Sequence, residues 1–355
     1  MENRVLKLRE EMGKLNLDAV LIEEGKNKRY LSGFTGTAGS ILITKDKNIL
    51  FTDFRYIQQA SNQAKGFEII EISRTNPITN FLKDMDIKRL GFEDDKMNVS
   101  VYNNYKETLA NTEMVPLKGL MLELRAVKDE SELEIIRQAA KIADEGFNHI
   151  VNFIKPGMKE NEVALELEFF MRKKGATGAS FDFIVASGTR SSMPHGVASD
   201  KVIEIGDFVT IDFGCVYKGY CSDMTRTIVM GKATDKQKEI YNIVLEAQLK
   251  VIEEAKANMS GIELDNIARQ YIIDKGYGDK FGHGLGHGIG LDVHELPNVN
   301  VLGKNILKPN MVISDEPGIY IEDFGGVRIE DLLIITEDGC EVINSSPKEL
   351  IELEF

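Results

Sequence analysis

Phe208-Val209-Thr210-Ile211-Asp212-Phe213-Gly214, followed shortly by Asp223-Met224-Thr225-Arg226-Thr227-Ile228-Val229, is the stretch that decides how this chain folds. Both segments are β-branched and aromatic, with one acidic residue each, and they read as the paired strands of a hairpin. A turn centred on Tyr217-Lys218 sets Asp212 directly opposite Asp223. Opposed Cβ atoms lie about 5 Å apart, and like charges in that position are destabilising. Two aspartates facing each other among apolar neighbours need a compensating charge, and a divalent cation is the simplest one.

Further along, the pattern returns. Glu316 lies in Val312-Ile313-Ser314-Asp315-Glu316-Pro317, and Glu330 lies in Gly326-Val327-Arg328-Ile329-Glu330-Asp331. A turn near Asp323 sets the two glutamates across from one another. Strand alternation puts Arg328 on the face of Glu330, where it can steady a carboxylate. Asp315 is expected to point away from Glu316 and to pair with a base. Between the hairpins, Phe281-Gly282-His283-Gly284-Leu285-Gly286-His287-Gly288-Ile289-Gly290-Leu291-Asp292-Val293-His294-Glu295 holds three of the five histidines. So many glycines disfavour a helix, so loop or strand backbone presents these rings. His195, in Ser191-Ser192-Met193-Pro194-His195-Gly196, precedes the first hairpin and is placed to face the same cleft.

Working outward, the last two thirds read as a duplication. A helix over 129–151, a second over 160–174 and a hairpin over 207–230 are followed by helices over 235–257 and 264–275 and a hairpin over 310–336. The offset is roughly a hundred residues, and the match is one of pattern. Two like halves facing each other place a cleft between them. The first third alternates a helix over 5–14 with strands over 19–22, 41–44 and 49–52. Its segment Gly33-Phe34-Thr35-Gly36-Thr37-Ala38-Gly39 lacks the Gly-Lys-Ser/Thr ending of a phosphate loop and reads as a turn. A domain boundary is expected between 121 and 122, giving an α/β (α+β) chain of two domains, 1–121 and 122–355.

Composition restricts the function further. The 355 residues carry a formal net charge of −14, which repels phosphate backbones and anionic membranes. Nucleic acid and membrane are therefore not expected as partners. No apolar run approaches the roughly 20 residues that span a bilayer, and no signal-peptide pattern opens the chain. Cys215, Cys221 and Cys340 form no C-x-x-C pair, as expected of reduced thiols in a cytoplasmic protein.

A lone strand aspartate is commonly an edge residue, and a lone glycine-flanked histidine commonly a packed or solvated ring. The combination is harder to explain structurally. Asp212, Asp223, His287, Glu316 and Glu330 offer four carboxylates and one imidazole, too many acids for one ion but suited to two that share bridging carboxylates. Oxygen-rich donors favour manganese, with cobalt or zinc as alternatives. Such a centre lowers the pKa of a shared water toward about 7. The remaining histidines can donate to a tetrahedral intermediate. Together they make a hydrolase for an amide bond.

On these residues the chain resembles the M24 metallopeptidases, the family of aminopeptidase P, prolidase, creatinase and methionine aminopeptidase. Ile211-Asp212-Phe213-Gly214, Ser222-Asp223-Met224-Thr225-Arg226-Thr227, the 283–294 stretch, Asp315-Glu316-Pro317-Gly318 and Gly326-Val327-Arg328-Ile329-Glu330-Asp331 carry the likeness. Tyr30-Leu31-Ser32-Gly33-Phe34-Thr35-Gly36 and Thr52-Asp53-Phe54-Arg55-Tyr56 are similar to the creatinase-type N-terminal domain. The resemblance implies a pita-bread catalytic domain with two ions. Asp212 and Asp223 would hold one ion and His287 and Glu316 the other, with Asp223 and Glu330 bridging. Glu316 would shuttle the proton, His195, His283 and His294 would face the substrate, and Arg328 would support the ligands. Prolidases carry an arginine shortly after the His-Glu pair, where this chain has Asn298. That departure puts an Xaa-Pro aminopeptidase first and an Xaa-Pro dipeptidase second, with a non-catalytic peptide-binding member as a third reading. The expected partner is a peptide with a penultimate proline, acted on by a homodimer.

Overall fold

Short apolar runs separated by charged turns build a single mixed sheet in the first third of the chain. The computed structural model describes residues 1–355, which divide into two units, Met1–Arg125 and Ala126–Phe355. In the first unit the strands are β1 (Ala19–Ile22), β2 (Ser40–Thr44), β3 (Asn48–Thr52), β4 (Glu68–Glu71), β5 (Arg89–Phe92) and β6 (Glu113–Pro116). Their order is β4-β3-β2-β1-β5-β6. β1 is central and every residue of it is buried, as its unbroken Ala-Val-Leu-Ile run requires. Edge strands β4 and β6 expose a glutamate, a charge that discourages pairing with another chain. The helices are α1 (Glu2–Lys14), α2 (Gly25–Ser32), α3 (Ile57–Gln63), α4 (Ile78–Lys83), α5 (Val99–Thr108) and α6 (Leu120–Ala126). The Gly33 of the expected turn is the left-handed cap of α2, at φ 76°.

The second unit shows the expected repetition. Helices α7 (Glu130–Phe153) and α8 (Glu160–Lys173) come first, and α9 (Asp235–Glu254) and α10 (Gly261–Asp274) form the second pair. Local chemistry sets their starts. Asp129 with Glu132, Thr234 with Gln237, and Ser260 with Glu263 form reciprocal capping boxes. The strands are β7 (Gly178–Ala179), β8 (Ile184–Ser187), β9 (Phe208–Phe213), β10 (Cys215–Tyr217), β11 (Tyr220–Cys221), β12 (Met224–Met230), β13 (Gly286–Gly288), β14 (Glu295–Val299), β15 (Val312–Asp315), β16 (Gly318–Ile321), β17 (Gly325–Arg328), β18 (Asp331–Ile335), β19 (Cys340–Val342) and β20 (Ile351–Leu353).

One sheet runs β20-β12-β9-β8 and another β14-β13-β15-β18-β19. Each has its own helix pair and core. Ile142, Phe147 and Leu167 of the first pair pack with Val209, Ile211 and Ile228, whereas Val244, Leu264 and Ile272 of the second pack with Ile313 and Leu333. Each such side chain, fully buried, contributes roughly 1.5–3 kcal/mol. With one face of each sheet closed by helices, the acidic residues sit on the strands' other face or at their ends.

Candidate metal centre and active site

The first hairpin turns one residue later than expected. β9 and β12 pair Asp212 with Thr225 and Phe213 with Met224, and β10 and β11 continue the same register through Val216 and Cys221. The turn is therefore Lys218-Gly219, with positive φ at both residues (45° and 82°), the type I′ geometry that matches strand twist. Asp223 is thus not directly opposite Asp212, which corrects the expected pairing. The displacement along the strand is two residues, so parity is kept and both carboxylates still share a face.

The second hairpin has the expected register. Gly318 faces Arg328 in β16–β17, and Asp315 faces Asp331 in β15–β18. Glu316 and Glu330 lie across from each other in the gap between these two ladders. β13 fills the space beside β15, and its glycines explain themselves here. A Cβ on Gly286 would stand 2.1 Å from the Ser314 carbonyl oxygen, and one on Gly288 would stand 2.1 Å from that of Leu296. A bulge between His287 and Gly288 re-aims the strand where it carries the imidazole.

These elements converge. Asp223, His287 and Glu330 each offer a ligand atom, all within 4.8 Å of one another. His287 Nε2 lies 3.3 Å from Glu316 Oε1 and 3.7 Å from Asp223 Oδ2. Its Nδ1 faces the Gly288 carbonyl at 3.1 Å, which can only accept, so Nδ1 carries a proton and Nε2 is turned to the acids. Asp212 Oδ1, Asp223 Oδ1 and Glu330 Oε1 are buried with no hydrogen-bond partner. Burial raises the Asp223 carboxyl well above its ordinary pKa, and the neighbouring Glu330 and Asp212 charges push the same way. Glu330 is raised by burial and then by Glu316 and Asp212. Burial also works to raise Glu316, but the hydrogen bond and charge of His287 prevail and bring it down to about 2. Without a cation, Asp223 and Glu330 are pressed to hold protons. Unpartnered oxygens from three carboxylates, together with Glu316 and the imidazole of His287, fit divalent ions.

Around the acids runs a hydrogen-bonded frame. Arg328 is expected to steady a carboxylate, and the one it holds is Asp212: its Nη2 donates to Asp212 Oδ2 at 2.6 Å, its Nη1 to the Tyr320 hydroxyl at 2.8 Å and its Nε to Thr225 Oγ1 at 3.1 Å. Thr225 Oγ1 donates in turn to Glu330 Oε2 at 2.7 Å. Ser314 Oγ donates to Glu316 Oε1 at 3.0 Å and accepts the His287 N–H at 3.1 Å. His283 has both nitrogens engaged, by the Gly284 carbonyl at 2.8 Å and the Tyr320 hydroxyl at 2.9 Å. Thr225, Ser314 and Tyr320 were not singled out from sequence. Period-two counting finds them, since Ser314 shares a face with Glu316, Tyr320 with Gly318 opposite Arg328, and Thr225 opposes Asp212 once the turn is placed correctly. Asp315 pairs with no base. Both its oxygens are buried and unpartnered, and it faces Asp331, whose carboxylate takes Arg226, Lys348 and Gln248.

A cavity of about 470 Å³ opens over the cluster, lined by the acids, by Phe181, Ile184, Pro194 and Val197, and by Asn298 and Asn300. His195, His283, His287 and His294 all reach it. The His294 ring stands edge-on to His287 with centroids 4.3 Å apart. Burial lowers the pKa of His294, helped by the charge of His287. The nine residues expected to serve as ligands, to support them or to act on the substrate therefore all line this cavity, whereas Asp315 does not.

Comparison with known proteins identifies the family. The profile of Metallopeptidase family M24 matches residues 134–337, and that of the Creatinase/Prolidase N-terminal domain matches residues 4–127. An Xaa-Pro dipeptidase of Bacillus anthracis superposes with a TM-score of 0.96 at 51% identity, covering 99% of both chains. An X-Pro aminopeptidase of Thermotoga maritima MSB8 gives 0.91 at 41% identity, covering 96% of this chain and 99% of that one. An Xaa-Pro dipeptidase of Pyrococcus horikoshii is 42% identical over 99% of each. Profile, relatives and the duplicated pita-bread architecture agree, and the chain belongs to the M24 metallopeptidase family, with a creatinase/prolidase-type domain at its front.

Proposed function

We propose that this chain hydrolyses the amide bond between a first residue and a following proline, with the Xaa-Pro dipeptide as main substrate. The observation that carries the hydrolase reading is the trio of unpartnered buried carboxylate oxygens on Asp212, Asp223 and Glu330 beside His287 Nε2. The dipeptide preference is supported by the Xaa-Pro dipeptidases of Bacillus anthracis and Pyrococcus horikoshii. It reverses the order expected from Asn298 alone. An aminopeptidase for longer X-Pro peptides is the second reading, favoured by the Thermotoga maritima X-Pro aminopeptidase. The cavity wall favours it too, since its one guanidinium, Arg328, is committed to Asp212 and Tyr320 and the wall holds no lysine.

Asp212, Asp223, His287, Glu316 and Glu330 would together hold the divalent ions of the proposed centre. When bound, the ions (manganese first, then cobalt or zinc) polarise the scissile carbonyl and bring the pKa of the attacking water toward about 7. Glu316, kept ionised by His287, accepts a proton from that water. It passes the proton to the proline nitrogen, which has no hydrogen of its own and leaves only once protonated. His195 and His294 donate to the carbonyl oxygen as negative charge develops there. His283, with both nitrogens engaged, steadies Tyr320 and through it Arg328.

The test incubates metal-stripped protein, with and without manganese, with an X-Pro dipeptide and an X-Pro-Y tripeptide, following products by mass spectrometry. Manganese-dependent release of proline at the higher kcat/KM supports the dipeptidase. Preference for the tripeptide installs the second reading, and no cleavage of either sinks both.

A further inference from the structure

Glu160 is the first residue of α8, stands outside the acidic cluster and is fully buried. Its Oε1 accepts from Ser187 N at 2.8 Å and Ser187 Oγ at 2.9 Å. Its Oε2 accepts from Ser199 N at 3.1 Å, from Ser199 Oγ at 2.6 Å and from Arg190 Nη1. Ser187 and Ser199 flank the loop 188–198, so one carboxylate ties both of its roots. A buried charge is tolerated here because five donors surround it, one of them a guanidinium, at the positive end of a helix.

Arg190 carries this clasp into the loop, with Nη2 donating to the Val197 carbonyl at 2.9 Å. Val197 N in turn donates to the His195 carbonyl at 2.8 Å. The His195 ring itself lines the cavity and has no hydrogen-bond partner. A ring that nothing holds at its tip stands where its backbone puts it, and here that backbone is set by the clasp.

We propose that Glu160 is a positioning residue for His195: its carboxylate sets how the His195 ring stands over the acidic cluster, and turnover depends on Glu160 through that ring. The proposal rests on the Xaa-Pro hydrolase reading of the same cavity. Glu160→Gln releases one root whichever way the amide turns, because its nitrogen then meets donors.

The experiment is a double-mutant cycle on the full-length, manganese-loaded protein with Glu160→Gln, His195→Ala and the pair. Ser199→Ala, which removes a single hydroxyl, serves in its place where Glu160→Gln does not fold. Each single variant is expected to lower kcat/KM, by about 100-fold for Glu160→Gln on the scale of a 1 Å misplacement. The double variant is expected to match His195→Ala to within about two-fold. Losses that multiply, or an unchanged Glu160→Gln, overturn the proposal. A second readout, independent of activity, is the His195 ring resonance, assigned by its disappearance in His195→Ala. It should move in Glu160→Gln (or Ser199→Ala) while those of His287 and His294 stay. An unmoved His195 signal overturns the clasp even if no X-Pro peptide is cleaved, and a moved one with no cleavage by the parent protein overturns only the hydrolase reading.

Discussion

At Asp212 the ladder of the first hairpin is unbroken and stops only beside Asp223, whereas in the second hairpin it stops at both acids, Glu316 and Glu330, and resumes beyond Pro317. The unbroken ladder holds the Asp212 backbone in the sheet and leaves its side chain to Arg328. The interrupted one frees two backbone N–H groups to bond elsewhere. Glu316 N donates to the Leu285 carbonyl at 2.9 Å, in the histidine segment, and Glu330 N donates to the Thr225 carbonyl at 3.0 Å, in the first hairpin. One hairpin thus supplies a rigid strand, and the other supplies the cross-links that bring histidine and acids together. A break in a ladder is here a means of joining two sheets, because buried backbone donors must find partners somewhere.

The sharpest way to break this arrangement is Asp223→Ala, which removes a carboxylate from the point where both hairpins meet. Activity is expected to fall by about 10³-fold or more, since polarisation by the ions is worth several kcal/mol. Bound metal should be lost while circular dichroism stays native, and near-normal turnover would refute the assignment. Next, Arg328→Met cuts the hold on Asp212 without touching a proposed ligand. Metal affinity, measured by titration calorimetry, should weaken by about 10–100-fold.

Acidity offers a test of the cross-linked acids. Asp223 and Glu330 have raised pKa values in the folded chain when no cation is present. Folding then binds protons, so their contribution to stability is full below the ordinary carboxylate value of about 4 and is lost as pH rises through the raised values. Metal-stripped protein should melt at lower temperature at pH 8 than at pH 5, and the stabilisation by manganese should grow across that window. A gain from manganese that is flat with pH would mean that these acids are already ionised. The smallest effect is expected at Asp315→Val. It replaces a buried, unpartnered carboxyl by an apolar group, which should raise stability by about 1–3 kcal/mol in denaturant melts and leave the cleavage preference unchanged.

Much of this was legible in the residues themselves. Helices capped by Asp129 and Thr234 start within a residue of where the sequence puts them, whereas the Ser260–Glu263 capping box starts α10 at Gly261, ahead of the expected 264. The register of the second hairpin followed from its turn at Asp323, which takes φ of 60°. The first turn was misplaced by one residue although Gly219 was the available signal, because a type I′ turn also asks a positive φ of Lys218, which lysine seldom adopts.

The amino-acid sequence by itself determined which strands carry acids, which face each carboxylate shares and that a histidine-bearing glycine segment lies between them. Those features are periodic and local, so neighbouring residues suffice to specify them. Only the tertiary structure decided that Arg328 serves Asp212, that Thr225 links the hairpins and Ser314 the histidine segment, that Asp315 has no base, and that Glu160 clasps the His195 loop. Each is a choice among partners distant in the chain. Such choices follow from how two sheets pack and which buried polar groups remain to be satisfied, and the strand pattern alone leaves them open.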